Sequence, residues 1–415
     1  MPAGLAAPGT KAAYGEILAS KDCEGYNTVT MWEHLLTVLC LLSAALSTAV
    51  IVLSLVTLKR IGEPAACDEA SSTESTISVV VPARNEEAGI RRAILSLFGQ
   101  KGVRLEIIVV NDHSTDKTRD IVDEIAASDS RVRVVHDPPL RPGWFGKCNA
   151  MEHGARLATG PYLALCDADV VHAPHCFLTG LGEMKRDGLD FISYGPLIVC
   201  ESFWENVLLP PLAPAGTLAL AGFGANDPSS RDADATGAFI LMKREVFLGI
   251  GGFDLVKTEM LDDVMLARLV KSRGYRVRYR LATRLLQVRL FKGNREAFWG
   301  LTKNVLATFD NLWVALPGVF LPVLVYWVPL AGAVAGVWKG NWLLAAAGCG
   351  TYLVGVAMLV VARRLCRFQW RKALFFPLVV LPLVCSGLRA LYYRMVKGAV
   401  AWRGRAIAIG EARGR

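Results

Sequence analysis

The stretch YLALCDADVV, residues 162–171, decides the fold, because it is an apolar strand that ends in two carboxylates, Asp167 and Asp169. In extended chain, residues i and i+2 share a face, so both can converge on one divalent cation and the phosphate-bearing ligand it holds. An Asp-x-Asp alone also describes a solvated turn. Its surroundings decide between the two.

Upstream, ISVVVPARNEE from Ile77 is an unbroken apolar run bounded by Pro82, the pattern of a buried parallel strand, with a helix predicted over 88–98. LEIIVVNDHSTDKT then gives a strand over 105–110 that closes on Asn111-Asp112 and a Ser-Thr-Asp helix start. A strand at 131–136, a helix at 147–158 and the strand at 162–166 complete an α/β domain. In open parallel sheets, ligands bind beyond the carboxyl ends of the strands, so Glu86, Asp112 and Asp167 are predicted to be neighbours. PARNEEAG lacks a Gly-x-Gly-x-x-Gly turn, which excludes a dinucleotide-dependent oxidoreductase.

The chain of 415 residues is 53% hydrophobic, too apolar to be wholly soluble. Residues 35–58 carry no charge before Lys59 and Arg60, enough for an uncleaved transmembrane helix. Residues 312–338 and 341–362 form two further predicted spans joined at Lys339-Gly340. The loop RRLCRFQWRK, 363–372, is densely basic, which places it and residues 76–310 on the cytoplasmic face of the inner membrane, with 1–34 outside. Residues 59–75 read as a linker. The last apolar segment, within 373–393, is broken by Pro377 and Pro382 and reads as re-entrant or interfacial, with a full crossing as the alternative; a basic tail, 394–415, follows. The net charge of +9 flanks apolar runs, matching anionic lipid headgroups and not nucleic acid. Ten cysteines without a Cys-x-x-Cys pair point to neither a disulfide framework nor a zinc site.

VVPARNEE (80–87), VVNDHSTDKT (109–118), GKCNAMEHG (146–154), DAD (167–169), ATGAFILMKRE with GGFD (235–254) and LDDVMLARLVKSRGYRV (261–277) together resemble the inverting family 2 glycosyltransferases of the GT-A fold. More narrowly, WFGK (144–147), ANDP (225–228), the VRLF…FWGLTKN run and WRGR (402–405) look like the membrane-bound branch linked to hopanoid and carotenoid glycosylation. The Gln-x-x-Arg-Trp element of processive synthases is missing, since Gln287-Val288-Arg289-Leu290 has no tryptophan.

Sugar transfer from a nucleoside diphosphate requires a base for the acceptor, charge neutralisation on the leaving diphosphate and a pocket for the donor. The resemblance implies Asp263 as base, with Asp262 raising its pKa by like charge. Asp169 would hold Mg²⁺ or Mn²⁺, and Asp167 would share the cation or face the ribose. Asp112 would read a base N–H such as that of uracil, or cap a helix. Asn85 and Glu86 would border base and ribose, or cap the following helix. Lys147, at a helix start, would meet phosphate oxygens. Thr236 and Gly237 would line the acceptor side. Residues 207–224 and Phe298, Trp299, Leu301 and Val305 beside Lys303 are candidates for the membrane surface, and Arg289 for a contact near the diphosphate. The expectation is a metal-dependent, membrane-anchored enzyme taking a nucleotide sugar, a UDP-sugar first, to a polyisoprenoid, hopanoid or carotenoid-like lipid. A polysaccharide synthase and a catalytically silent nucleotide-sugar-binding protein are the alternatives.

Overall fold

The computed structural model describes residues 10–65, 75–221, 224–259, 261–302, 320–392, 399–402 and 405–408. Lys303, Val305, most of the linker and most of the basic tail lie outside them, as do parts of the 312–338 span and of WRGR. The chain divides into two compact units, one of residues 1–49 and 318–357, the other of 50–317 and 358–415.

In the first unit, three helical segments pack through small residues. Helix α1, Thr10–Ile61, contributes its membrane-length part, Met31–Ile61, and the partners are Phe320–Lys339 and Trp342–Ala362; all three are long and apolar enough to cross a bilayer. Gly348 lies so close to the backbone of Ala333 that a Cβ would sit 2.4 Å from its nitrogen, the close approach that small residues allow between such helices. Ser43 and Thr351 hydroxyls donate across to the carbonyls of Leu324 (2.9 Å) and Cys40 (3.0 Å). Glu33 gathers Asn341 (2.7 Å) and Lys339 (3.3 Å) where the second and third helices turn.

The second unit is built on a seven-stranded sheet of order β3-β2-β1-β4-β8-β6-β9. Its strands are β1 (Thr76–Ala83), β2 (Arg104–Asn111), β3 (Val132–His136), β4 (Tyr162–Leu165), β6 (Phe191–Gly195), β8 (Ile240–Lys243) and β9 (Val277–Leu281). A smaller sheet, β11-β7-β10-β5, joins β5 (Val170–His172), β7 (Leu197–Val199), β10 (Leu286–Val288) and β11 (Cys366–Arg367). The covering and connecting helices are α2 (Ile90–Phe98), α3 (Thr118–Ser128), α4 (Gly146–Leu157), α5 (Cys176–Asp187), α6 (Phe203–Ala221), α7 (Arg244–Gly249), α8 (Asp262–Ser272) and α9 (Asn294–Trp299).

The run ISVVV is buried on both faces because β1 is central. Ile77, Val79 and Val81 enter one core with α2 and α5, while Val80 enters the other with α4. Helix α4 can lie close on the sheet because residue 154 is glycine; a Cβ there would meet Val80 Cγ1 at 2.5 Å.

The whole sheet is mixed, and the four strands that the sequence pattern marks are its parallel part. β3, β2, β1 and β4 are parallel, but β8 runs antiparallel to both β4 and β6. Chain direction therefore reverses beside β4, and the residues preceding β8 fall at the carboxyl end of β4, where Asp167 stands.

Candidate active site

One glycine residue joins the two acidic motifs. With β8 antiparallel to β4, Leu165 faces Ile240 in register, and the Asp167 N–H donates to the Gly237 carbonyl at 2.8 Å. The Gly237 N–H donates to Asp263 Oδ2, also at 2.8 Å. Thr236, alongside, is fixed by its N–H to Ser193 Oγ at 3.0 Å. Side chains are excluded at position 237: a Cβ would lie 2.6 Å from Asp167 Oδ2 and 2.8 Å from Lys147 Nζ. Gly237→Ala is therefore expected to displace Asp167 and Lys147 and to slow transfer at least about tenfold, since displacements near 1 Å cost rate steeply. Turnover unchanged in the purified variant would show that this close approach is dispensable.

Lys147 opens α4 and reaches the same point, with its ammonium 2.8 Å from Asp167 Oδ1 and 3.8 Å from Asp262 Oδ2. Burial by itself would favour the neutral amine, but the charges of Asp167, Asp262 and Asp263 outweigh it and hold the ammonium well above the ordinary lysine range. Asp262 and Asp263 sit in the first turn of α8, where carboxylates complement the helix dipole. They are not equivalent. Asp262 is buried, and its Oδ2 has no hydrogen-bond partner; burial, with Asp263 and Asp167 adding to it against Lys147, pushes its pKa up to about 6. Asp263 is half-buried, with its carboxylate oriented by the N–H groups of Gly237 and Val264.

The ends of β1 and β2 lie on the same side of the sheet. Ala83 pairs with Asn111 in register, and the Asp112 N–H donates to the Ala83 carbonyl at 2.8 Å. Asp112 is buried between Arg84, whose guanidinium lies 3.8 Å from its carboxylate, and His113 Nδ1 at 3.1 Å. Asn85 adopts a positive φ of 54°, and its side-chain oxygen accepts from the Thr115 N–H at 2.8 Å, so it pins the β2–α3 loop. Glu86 is buried; its N–H donates to Thr118 Oγ1 (2.8 Å), and its carboxylate meets Lys292 Nζ at 2.7 Å. Half-buried Asp169 lies under Gly89, where a Cβ would come within 3.5 Å of the aspartate backbone. Arg289 is committed to Glu201 (2.5 Å) and buried Glu205 (3.1 Å), tying the chain after β10 to the start of α6.

Several residues around the site are not singled out in the sequence. Asp234, buried three residues before Gly237, has its pKa raised to about 7 by burial and by the charge of Asp263. Glu152, buried on α4, accepts the Phe253 N–H at 2.9 Å and explains Gly252, where a Cβ would collide with that carboxylate. The Lys271 ammonium donates to the carbonyls of Gly224, Ala225, Asp227 and Asp232, holding the 224–232 loop against α8. The ANDP stretch in that loop and the quoted motifs around Glu152 and Lys271 are the sequence signals near them.

A mixed α/β sheet with paired acidic turns converging on one glycine, at the carboxyl end of a parallel half, is the arrangement of a GT-A-like nucleotide-sugar transferase domain. The mannosyltransferase PcManGT of Pyrobaculum calidifontis, solved in complex with GDP-Man and Mn²⁺, shares this fold with a TM-score of 0.51 at 19% identity, over 86% of this chain and 99% of that one. Residues 78–250 match the family described as Glycosyl transferase family 2. Among its relatives, the probable glycosyltransferase YdaM of Bacillus subtilis is 41% identical over 96 residues, 22% of each chain. The 4,4'-diaponeurosporenoate glycosyltransferase of Staphylococcus aureus is 26% identical over 204 residues, 48% of this chain and 52% of that one. The chain thus aligns with between about a fifth and a half of these relatives' lengths.

Proposed function

We propose that this protein is a membrane-anchored, inverting glycosyltransferase that moves one sugar from a nucleoside-diphosphate sugar to a lipid hydroxyl or carboxyl group. The observation that carries the reading is the Gly237 residue, which sets the oriented Asp263 carboxylate across from the Asp167–Lys147 pair at the end of β4. In the proposed reaction, Asp263 takes the acceptor proton as the acceptor oxygen bonds to the anomeric carbon. The bond to the diphosphate breaks on the opposite face, and a single displacement inverts the centre. Asp262, at about 6, buffers the base with a neighbouring charge, and Lys147 keeps the acidic floor compatible with an anionic donor.

A divalent cation fits this donor set. Among the described residues no group of three or more His, Cys, Asp or Glu side chains could hold a metal by itself. Mg²⁺ is ordinarily held by one or two carboxylates plus substrate phosphates, and Asp169, with Asp167 beside it, can supply that share. Bound there, the ion would neutralise charge growing on the leaving diphosphate.

The acceptor and the topology rest on further observations. The relative named for 4,4'-diaponeurosporenoate favours a carotenoid-like lipid, with a hopanoid or other polyisoprenoid as the wider class. The segment Phe376–Tyr392 lies within the catalytic unit: Ser386 Oγ donates to the Phe298 carbonyl at 3.4 Å, and the Arg389 guanidinium lies 4.9 Å from the centre of the Trp299 ring. Leu374, Phe375, Leu388 and Tyr392 are exposed. These contacts favour an interfacial segment over a fourth crossing, with the catalytic domain on the cytoplasmic face.

The test is turnover of a nucleotide-sugar panel by purified protein in native lipid, with and without EDTA, followed by mass spectrometry of the lipids. A single-sugar lipid adduct, reduced at least about a hundredfold by EDTA, is expected. Long sugar ladders would assign a polysaccharide synthase, and donor binding without transfer a sensor.

A further inference from the structure

The nucleotide end of the site is strongly acidic for a pocket that must admit a diphosphate. Glu86, Asp112, Asp167 and Asp169 close the ends of β1, β2 and β4. The cations that β1 and α4 supply are engaged: the Arg84 guanidinium donates to the Asp112 carbonyl at 2.8 Å, and Lys147 pairs with Asp167. The further cation comes from outside the nucleotide-binding half. Lys292, between β10 and α9, lays its ammonium 2.7 Å from the Glu86 carboxylate, which retains 3% of its side-chain exposure.

Lys292 is held in place along its backbone. Its N–H donates to Glu296 Oε2 at 2.7 Å, and Gly293 turns the chain at a φ of 138°. Asn294 Oδ1 then accepts the Trp204 N–H at 2.9 Å, fixing the segment to α6. A solvated surface lysine would have no such frame. Here a built turn delivers one ammonium, itself 33% exposed, to a buried carboxylate after the first strand.

We infer that Lys292 is a donor-binding residue: it neutralises Glu86 and presents its ammonium to the nucleoside-diphosphate part of the sugar donor. Without it, a buried negative charge would face an anionic ligand at short range, and binding would weaken. The inference rests on the glycosyltransferase reading above. It also makes the segment leading to the aromatic helix α9 part of the donor pocket.

The experiment measures binding of UDP and of GDP, with Mn²⁺, to the full chain in detergent by calorimetry, for the wild type, Lys292→Gln and Lys292→Arg. Glutamine keeps a polar side chain of similar reach without the charge, and arginine keeps the charge. Each variant is also melted without nucleotide. The expected result is a Kd about tenfold weaker for glutamine and within about threefold of wild type for arginine, a modest loss because the lysine is partly exposed. Equal binding by the two variants would overturn the role of Lys292 while leaving the function intact, and so would a loss in both that tracks a loss of folded protein. No binding of either nucleotide by the folded wild type would overturn the donor reading itself, and the inference with it.

Discussion

Asp263→Asn is expected to cut transfer to a hydroxyl acceptor about a thousandfold while leaving donor affinity within about twofold. The asparagine keeps the shape of the side chain, and its one oxygen can still accept the Gly237 N–H at 2.8 Å, while the Val264 N–H loses the second carboxylate oxygen. What disappears is the capacity to take a proton. The magnitude also reports on the acceptor, because a carboxylate nucleophile is already ionised at neutral pH and needs no base; with such a lipid the loss should shrink below about tenfold. Initial rates with one hydroxyl-bearing and one carboxyl-bearing lipid, beside donor binding by the same protein, make the measurement. Near-normal transfer to the hydroxyl lipid would remove Asp263 as the base and turn attention to Asp262.

The second large effect is on the balance of charge. Lys147→Met leaves Asp167 without its 2.8 Å partner and removes the ammonium 3.8 Å from the Oδ2 of buried Asp262, an oxygen that already lacks a hydrogen bond. Removing one member of a buried ion pair costs about 3–5 kcal/mol and of an exposed one about 0–1 kcal/mol, and because the two side chains are 38% and 35% exposed, about 1–2 kcal/mol is expected. The loss should depend on pH. Asp262 has its folded pKa raised from 3.8 to about 6, so the folded state binds the extra proton between those values, and stability falls as pH rises through that window. Without Lys147, which opposes the rise, the upper edge moves further up. Melting of the variant is expected several degrees below wild type at about pH 8, with a smaller gap at about pH 5.5. A gap of the same size at both pH values would mean that Lys147 matters for packing and not for charge.

The sequence made much of this site legible because its chemistry lies in short local patterns. YLALCDADVV announces a strand with carboxylates past its end, although β4 closes at Leu165 and Ala168 and Asp169 lie in a turn and not in extended chain, while LDDVMLAR marks Asp262 and Asp263 by helix start signals. The two-sided burial of ISVVV likewise announced β1. What stayed hidden depends on chain reversal and on contacts between remote segments. The antiparallel course of β8 is not written in ATGAFILMK, whose apolar run suits either direction, yet it brings Gly237 to Asp167. Asp234 reads as one more polar residue in RDADATGA until its burial is known. Lys292 and Glu86 are more than 200 positions apart. Arg289, a candidate for the diphosphate, pairs with Glu201 and Glu205 beside α6, contacts that no local pattern announces.

The strand β11 carries a consequence for how such a protein is made. Residues 366–367 follow the third membrane-length helix, yet they lie parallel to β7 and supply an edge of the smaller sheet, with the Ile198 N–H donating to the Leu365 carbonyl and the Cys200 N–H to the Arg367 carbonyl. Until the ribosome has passed that point, β7 presents an unpaired edge, the kind of surface that recruits foreign strands. The catalytic half is therefore synthesised early but completed late, after the last long apolar helix has been made. A chain ending before those two residues would carry every acidic motif of the site beside a smaller sheet whose β7 edge was left unpaired.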